Sequence, residues 1–159
     1  MWPTRNAGKW ALCGALASRF DAIAECEYGS MEGVVLKRSA SGFPETVKLL
    51  IEAIERRGLT VFAQIDHAAG ARQVDLELAD EQVVIFGSPR SGTPLMQRDP
   101  RIGIELPLRM LVWREGTEVL LGYRDPRDLS ASYEVSEQQT TLEQMAALLE
   151  QLAAEAASS

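Results

Sequence analysis

Cysteine and histidine are scarce in this chain. Its 159 residues hold two cysteines and one histidine. Cys13 and Cys26 form no CxxC and lie far in sequence from His67, so a zinc site is not expected. Two reduced thiols in a cytosolic protein are expected rather than a disulfide. Positive charge is also short: 16 Lys and Arg stand against 23 Asp and Glu, a net charge of -7. Phosphate contacts supply most of the affinity in nucleic-acid binding, so an acidic chain without a basic block argues against nucleic acid and against anionic membrane surfaces. No apolar run is long enough to span a bilayer.

The N-terminus loosely matches the layout of an export signal, with Arg5 and Lys9 before the apolar stretch Trp10–Ala17. That stretch is short, and Arg19 and Asp21 come directly after it. A cytoplasmic location is therefore expected over export. Residues 1–32 read as an appendage, with Leu12, Leu16, Phe20 and Ile23 at the spacing of one amphipathic helix.

Residues 33–159 read as a single domain of ordinary composition, 46% hydrophobic and 25% charged over the whole chain. Gly33–Arg38 has strand character. Pro44 suits a helix start, and Val47, Leu50, Ile51 and Ile54 place four apolar groups on one face. Gly58 supplies the stop. Leu59–Ile65 is a second strand, with Asp66 placed to cap a short helix from His67 to Val74. Leu76 and Leu78 suit a short extended or turn segment. Val83–Phe86 has the look of a fully buried strand. After the breaker-rich Gly87–Gly92, Thr93-Pro94 makes a cap-and-proline start for a short helix, which Pro100 ends. Ile102, Ile104 and Leu106 then return to the core. Leu108–Arg114 and Val119–Arg124 form a hairpin about Glu115-Gly116-Thr117. A last helix is expected over 141–156, with Thr140 and Glu143 at capping-box spacing and Leu142, Met145, Leu149 and Leu152 as its buried stripe. The hairpin argues against a purely parallel sheet. The expected fold is α+β: a mainly antiparallel sheet of about five strands with helices packed on it.

Several of these segments, in this order, resemble the domain-of-unknown-function family 302. They are Gly58-Leu59-Thr60-Val61-Phe62-Ala63-Gln64-Ile65-Asp66-His67-Ala68-Ala69-Gly70-Ala71, Ile85-Phe86-Gly87-Ser88-Pro89 and Gly92-Thr93-Pro94-Leu95-Met96-Gln97. The likeness continues through Leu106-Pro107-Leu108 and Val112-Trp113 to Tyr123-Arg124-Asp125-Pro126, and covers roughly residues 33–130. The resemblance implies a small α+β domain, often dimeric, with no established activity. Arg124 departs from it, since many members have Asn before the Asp-Pro pair. If that Asn binds something, this chain lacks the group.

The residues offer one candidate pocket. Asp66 and His67 stand at the end of a strand, where clefts form, and His titrates near neutrality. Thr93, Met96 and Gln97 stand at an expected helix start. Trp113 and Tyr123 sit on facing arms of the hairpin, and Phe62 lies on the second strand. This aromatic set could wall an apolar hollow or simply pack across strands. The Gly87–Thr93 loop could hold a small anion, although it lacks the glycine spacing and Lys of a P-loop. His67 with Met96 could bind a soft metal, but two ligands at no diagnostic spacing are weak evidence. Neither metal nor cofactor is expected.

The favoured expectation is a non-catalytic small-ligand-binding or sensing domain acting as a homodimer, with Asp66, His67, Thr93, Met96, Gln97, Trp113 and Tyr123 around the ligand. The first alternative is a hydrolase- or isomerase-like enzyme using His67 as acid or base, oriented by Asp66 and assisted by Thr93. The second is a structural dimerisation or interaction module, with the N-terminal and C-terminal helices as its partner surface. All but the last require the Asp66-His67 and Thr93–Met96 segments to meet around a shared hollow.

Overall fold

The computed structural model describes residues 33–158. The expectations placed on residues 1–32, including those for Cys13 and Cys26, lie outside the described residues. The sheet has five strands: β1 (Val34–Ser39), β2 (Thr60–Asp66), β3 (Glu81–Gly87), β4 (Leu108–Glu115) and β5 (Glu118–Arg124). Their order is β1-β5-β4-β3-β2, and every neighbouring pair is antiparallel. The helices are α1 (Phe43–Arg56), α2 (His67–Arg72), α3 (Pro89–Arg98) and α4 (Gln139–Ala157), with 3₁₀ segments at Pro100–Ile104, Pro126–Ala131 and Ser136–Gln138. The fold is α+β, as the sequence pattern implies.

Local chemistry sets several boundaries. Gly58 takes a φ of +69° just past α1. Its N–H donates to the Glu55 carbonyl at 2.9 Å, and that of Leu59 donates to Ile54 at 3.3 Å. These two bonds satisfy carbonyls that the helix leaves unpaired, and only glycine takes that backbone shape without strain. β4 and β5 are joined through Gly116-Thr117, with Glu115 opposite Glu118. Gly116 has a φ of +61°, the left-handed shape that a two-residue hairpin needs at its first central position.

Alternation along the strands gives the sheet two unlike faces. Val84, Phe86, Met110, Val112, Val119, Leu121 and Tyr123 pack in one core with Leu50 and Ile54 of α1 and with Leu149, Leu152, Ala153 and Ala156 of α4. Burying each large side chain there contributes about 1.5–3 kcal/mol. The expected stripe on α4 is formed, since Leu142, Met145, Leu149 and Leu152 are all buried. Glu155 on α4 takes hydrogen bonds from Arg56 and Arg57 of α1, which tie the two helices at one end. Those guanidinium groups, Arg57 first, hold the Glu155 carboxyl down at about 2. A smaller core of Leu95, Ile102, Val135, Leu142 and Met145 gathers where α3 and the Pro100–Ile104 turn meet the start of α4.

Four expectations are corrected. First, α3 begins at Pro89, not at Thr93-Pro94, because Ser88 caps it by accepting the Arg90 N–H at 3.3 Å. Ser88-Pro89 is as good a cap-and-proline pair as the one further on. Pro94 is carried inside the helix, where the carbonyl it leaves unpaired belongs to exposed Arg90 and can turn to water. Second, β3 is not buried on both faces: Val84 and Phe86 are buried, whereas Val83 and Ile85 are only half-buried. Third, Ile104 does not return to the core and is 76% exposed, since the 3₁₀ turn buries Ile102 alone. Fourth, no capping box forms. α4 starts at Gln139 directly after a 3₁₀ turn, which places Thr140 already inside the first helical turn.

Candidate functional site

β2 and β3 run antiparallel with Thr60 opposite Gly87 and Asp66 opposite Gln82. This register decides where every candidate residue sits. From Gln82 to Gly87 the strand extends about 17 Å, at roughly 3.4 Å per residue. Asp66 and His67 therefore lie at one end of the strand pair, and the entry to α3 lies at the other.

At the α3 end the packing leaves a cavity of about 240 Å³. Leu59 and Phe62 of the β2 side, Gly87 at the end of β3, Ser91, Gly92, Thr93 and Met96 of α3, Leu106-Pro107-Leu108, and Met145 and Leu148 of α4 line it, with Ser88 and Pro89. The hollow lies at the seam between the two cores: Leu108 packs against both, and Met145 belongs to the smaller one. The pairing of β2 and β3 shifts register between Val61 and Ala63. The residue between is Phe62, 52% exposed, which comes off the regular ladder beside Gly87 and walls the mouth. The peptide bond between Leu106 and Pro107 is cis.

Of the residues expected around a ligand, Thr93 and Met96 line this cavity and Asp66, His67, Gln97, Trp113 and Tyr123 do not. Asp66 caps α2, its Oδ1 accepting the Ala69 N–H at 2.7 Å. His67 is exposed at the first position of that helix, at the far end of the strand pair from Thr93. Gln97 is exposed on α3. Trp113 and Tyr123 cannot wall one pocket. Trp113 pairs with Leu120, three positions from Tyr123, so the two rings point to opposite faces of the sheet. Tyr123 is buried among the helices, and burial, followed by the charges of Glu150 and Asp125, pushes its phenol up to about 12. Trp113 lies over Gly122 on the other face.

Wall residues that the sequence pattern does not single out as ligand contacts are Leu59, Phe62, Leu106, Pro107, Leu108, Met145 and Leu148. Phe62 stands out in the sequence only as part of an aromatic set. The signal that could have found the site is the pair of breaker clusters, Gly87–Gly92 and Leu106-Pro107. Each ends or begins a strand, and two interrupted elements side by side seldom close without a gap.

A carboxylate anchors one flank. Asp99 is 4% exposed. It accepts hydrogen bonds from Arg101 Nε at 2.9 Å, Arg101 Nη2 at 2.7 Å, the Arg101 N–H at 3.0 Å and the Glu134 N–H at 3.1 Å. Arg101 first, then the Glu134 N–H, holds this carboxyl far below the usual carboxylate range. The clasp fastens the end of α3 to the segment that leads into α4, two of the cavity's walls.

The chemistry available in the cavity is that of apolar contact. Its walls carry no charged side chain, and among the described residues no group of three or more His, Cys, Asp or Glu gathers as metal ligands. The His67 and Met96 pair considered for a soft metal is split between the two ends of the strands. No helix among the described residues is long and apolar enough to cross a membrane.

Comparison with known proteins adds three findings. A segment of 95 residues is 38% identical to the fluoride-specific ion channel FluC 1 of Brucella suis biovar 1 (strain 1330), covering 59% of this chain and 37% of that protein. The fluoride-specific ion channel FluC 2 of Brucella melitensis biotype 1 is likewise 38% identical over 95 residues, 59% of this chain and 35% of the channel. The chain thus spans little more than a third of these relatives. The crystal structure of an uncharacterized conserved protein DUF302 from Bacillus stearothermophilus is similar in fold, with a TM-score of 0.64 at 18% identity over 80% of this chain and 97% of that one. The model of the family described as domain of unknown function DUF302 matches residues 35–152, from β1 well into α4, and the chain belongs to that family.

Proposed function

We propose that this protein is a non-catalytic small-ligand-binding or sensing domain, and that the cavity between α3, α4 and the start of β2 receives the ligand. One observation carries the reading: a pre-formed apolar hollow of about 240 Å³ at the seam of two cores. An engineered apolar cavity of about 150 Å³ holds benzene, and drug-sized ligands take upwards of about 300 Å³, so the space suits a molecule between the two. The alternative of an enzyme working through His67 loses its assisting group, because Thr93 stands at the other end of the strands. Acid–base work needs its partners within hydrogen-bond reach.

The Brucella relatives fit this reading. Their names assign them ion conduction, and this chain corresponds to about a third of their length. No helix among the described residues could span a bilayer, so we assign conduction to the remainder of those proteins and an accessory, sensing role to the matched segment. The test is a melting-shift panel of charged, polar and apolar small molecules, run on the protein and on Ser91→Trp, which fills the hollow from an exposed helical position. A shift that the variant abolishes supports the reading, and no shift with any compound counts against it.

A dimerisation module is the second reading. The sheet face turned away from the main core carries the half-buried Leu36, Leu111, Trp113 and Ile85 beside the fully buried Leu120, and the main core with α1 and α4 lies on the other face. A homodimer joined through this face would be seen by sedimentation and weakened by Trp113→Ser. A monomer at high concentration would remove it.

A further inference from the structure

We infer that the ligand of the cavity is a neutral, largely apolar molecule, a single ring or a short alkyl or acyl chain bearing at most one uncharged polar head. This rests on the cavity being the binding site, and it adds the chemical class. A helix start in a cavity wall would ordinarily invite an anion, because its first N–H groups have no partner within the helix. Here they are spent. Pro89 has no N–H. The N–H of Arg90 donates to Ser88 Oγ at 3.3 Å, and those of Ser91 and Gly92 donate to the Ser88 carbonyl at 3.1 and 3.2 Å. The N–H groups at the start of α3, on which an anion would rely, are therefore already engaged.

Nor do the walls supply a counter-charge, since none of the lining side chains is ionisable. An ionised group taken into such a space loses its water and gains no partner, which costs far more than the contacts return. The hydroxyls of Ser91 and Thr93 remain as polar side chains in the wall. A hydroxyl can meet an alcohol, ketone or ester without burying charge. The thioethers of Met96 and Met145 face the body of the ligand and adapt readily to its shape.

The methionines also provide the test. The chain has five. Met96 and Met145 line the cavity, whereas Met110 is fully buried in the main core and serves as an internal control. The full chain carrying ¹³C-methyl methionine is titrated with 1-alkanols of increasing length, and with alkanoates and alkylammonium ions of the same lengths. The alkanols are expected to shift the Met96 and Met145 methyls and leave Met110 in place. Affinity should rise by about fourfold per methylene, the ratio that ~0.8 kcal/mol per buried methylene gives, and level off once the hollow is full. The charged series should bind at least about tenfold more weakly at equal length. Ser91→Trp should abolish the shifts, and Phe62→Ala, which removes the mouth wall, should weaken them. Alkanoates or alkylammonium ions that bind as tightly as alkanols would overturn the neutral class and leave the cavity as a site. If none of the three series moves Met96 or Met145, the binding reading itself falls.

Discussion

The two ends of the β2–β3 strand pair share one ladder and differ in nearly everything else. At the Asp66–Gln82 end the side chains are polar and solvated: Gln82 Nε2 donates to Gln64 Oε1 at 3.1 Å, Arg72 lies 3.9 Å from Asp66, and His67 is open to water. At the Thr60–Gly87 end β3 leads into α3, and an apolar hollow is left beside α3 and α4. The polar and charged residues mark the first end, and the hollow lies at the second. In this domain a cluster of reactive side chains is a poorer guide to a hollow than a place where elements fail to close.

The sharpest way to press that contrast uses two phenylalanines on neighbouring strands. Phe86 is fully buried in the closed core, and Phe62 is 52% exposed at the cavity mouth. Phe86→Ala should cost about 3–5 kcal/mol of stability in urea unfolding, because the space it leaves is surrounded by packed side chains. Phe62→Ala should cost below about 1 kcal/mol, since most of its ring already meets solvent, and should act on ligand binding instead. Equal losses would mean that the mouth is part of the core and the hollow is no separate site.

Acid should open the α3 side next. The folded-state pKa values of Asp99 and Glu155 are both depressed by their arginine partners. A depressed carboxyl contributes stability that is complete above its unfolded value, about 3.9 for Asp and 4.3 for Glu, and fades as the pH falls through the folded one. Stability should therefore decline from about pH 4 downward. Asp99→Asn should remove its share of that acid dependence and lower the melting temperature at neutral pH. An unchanged acid limb in the variant would show that the clasp holds nothing.

Much of this fold is legible in the sequence because local rules settle it. Gly58 ends α1, Gly116 turns the hairpin, and the i, i+3, i+4, i+7 stripes on α1 and α4 choose the core face. Among the points that were not legible, two are the most instructive. One was which of two equivalent Ser/Thr-Pro pairs would start α3, since both satisfy the same capping chemistry. The other was the site. Gathering Asp66-His67 and Thr93–Met96 in one hollow treats strand ends as they behave in a parallel sheet, where carboxyl ends share an edge. The same sequence predicts an antiparallel sheet, and in that arrangement the carboxyl ends of β2 and β3 lie on opposite edges. The family likeness could not repair this, because it fixes the order of segments and carries no assigned site.

The polar end has its own test through the α2 cap. Asp66→Ala removes the acceptor for the Ala69 N–H and should cost about 1 kcal/mol, the usual value of an N-cap. Binding in the cavity should be untouched. A loss of binding with stability intact would tie the two ends together after all.

The smallest expected effect is that of His67→Ala, and it discriminates most cleanly between the readings. His67 is exposed at the first turn of α2, where alanine is a good helix former, and only Ala68 beside it is buried on that helix. Stability should therefore change by less than about 0.5 kcal/mol. If His67 were an acid or base acting on a bound molecule, its removal would reach the ligand: alkanol affinities would fall while the fold stayed intact. With the ring and the cavity at opposite ends of a strand about 17 Å long, no such fall should occur. Identical Met96 and Met145 methyl titrations in the protein and in His67→Ala would place the only histidine of the chain outside the site, while weaker alkanol binding by the variant would bring it back in.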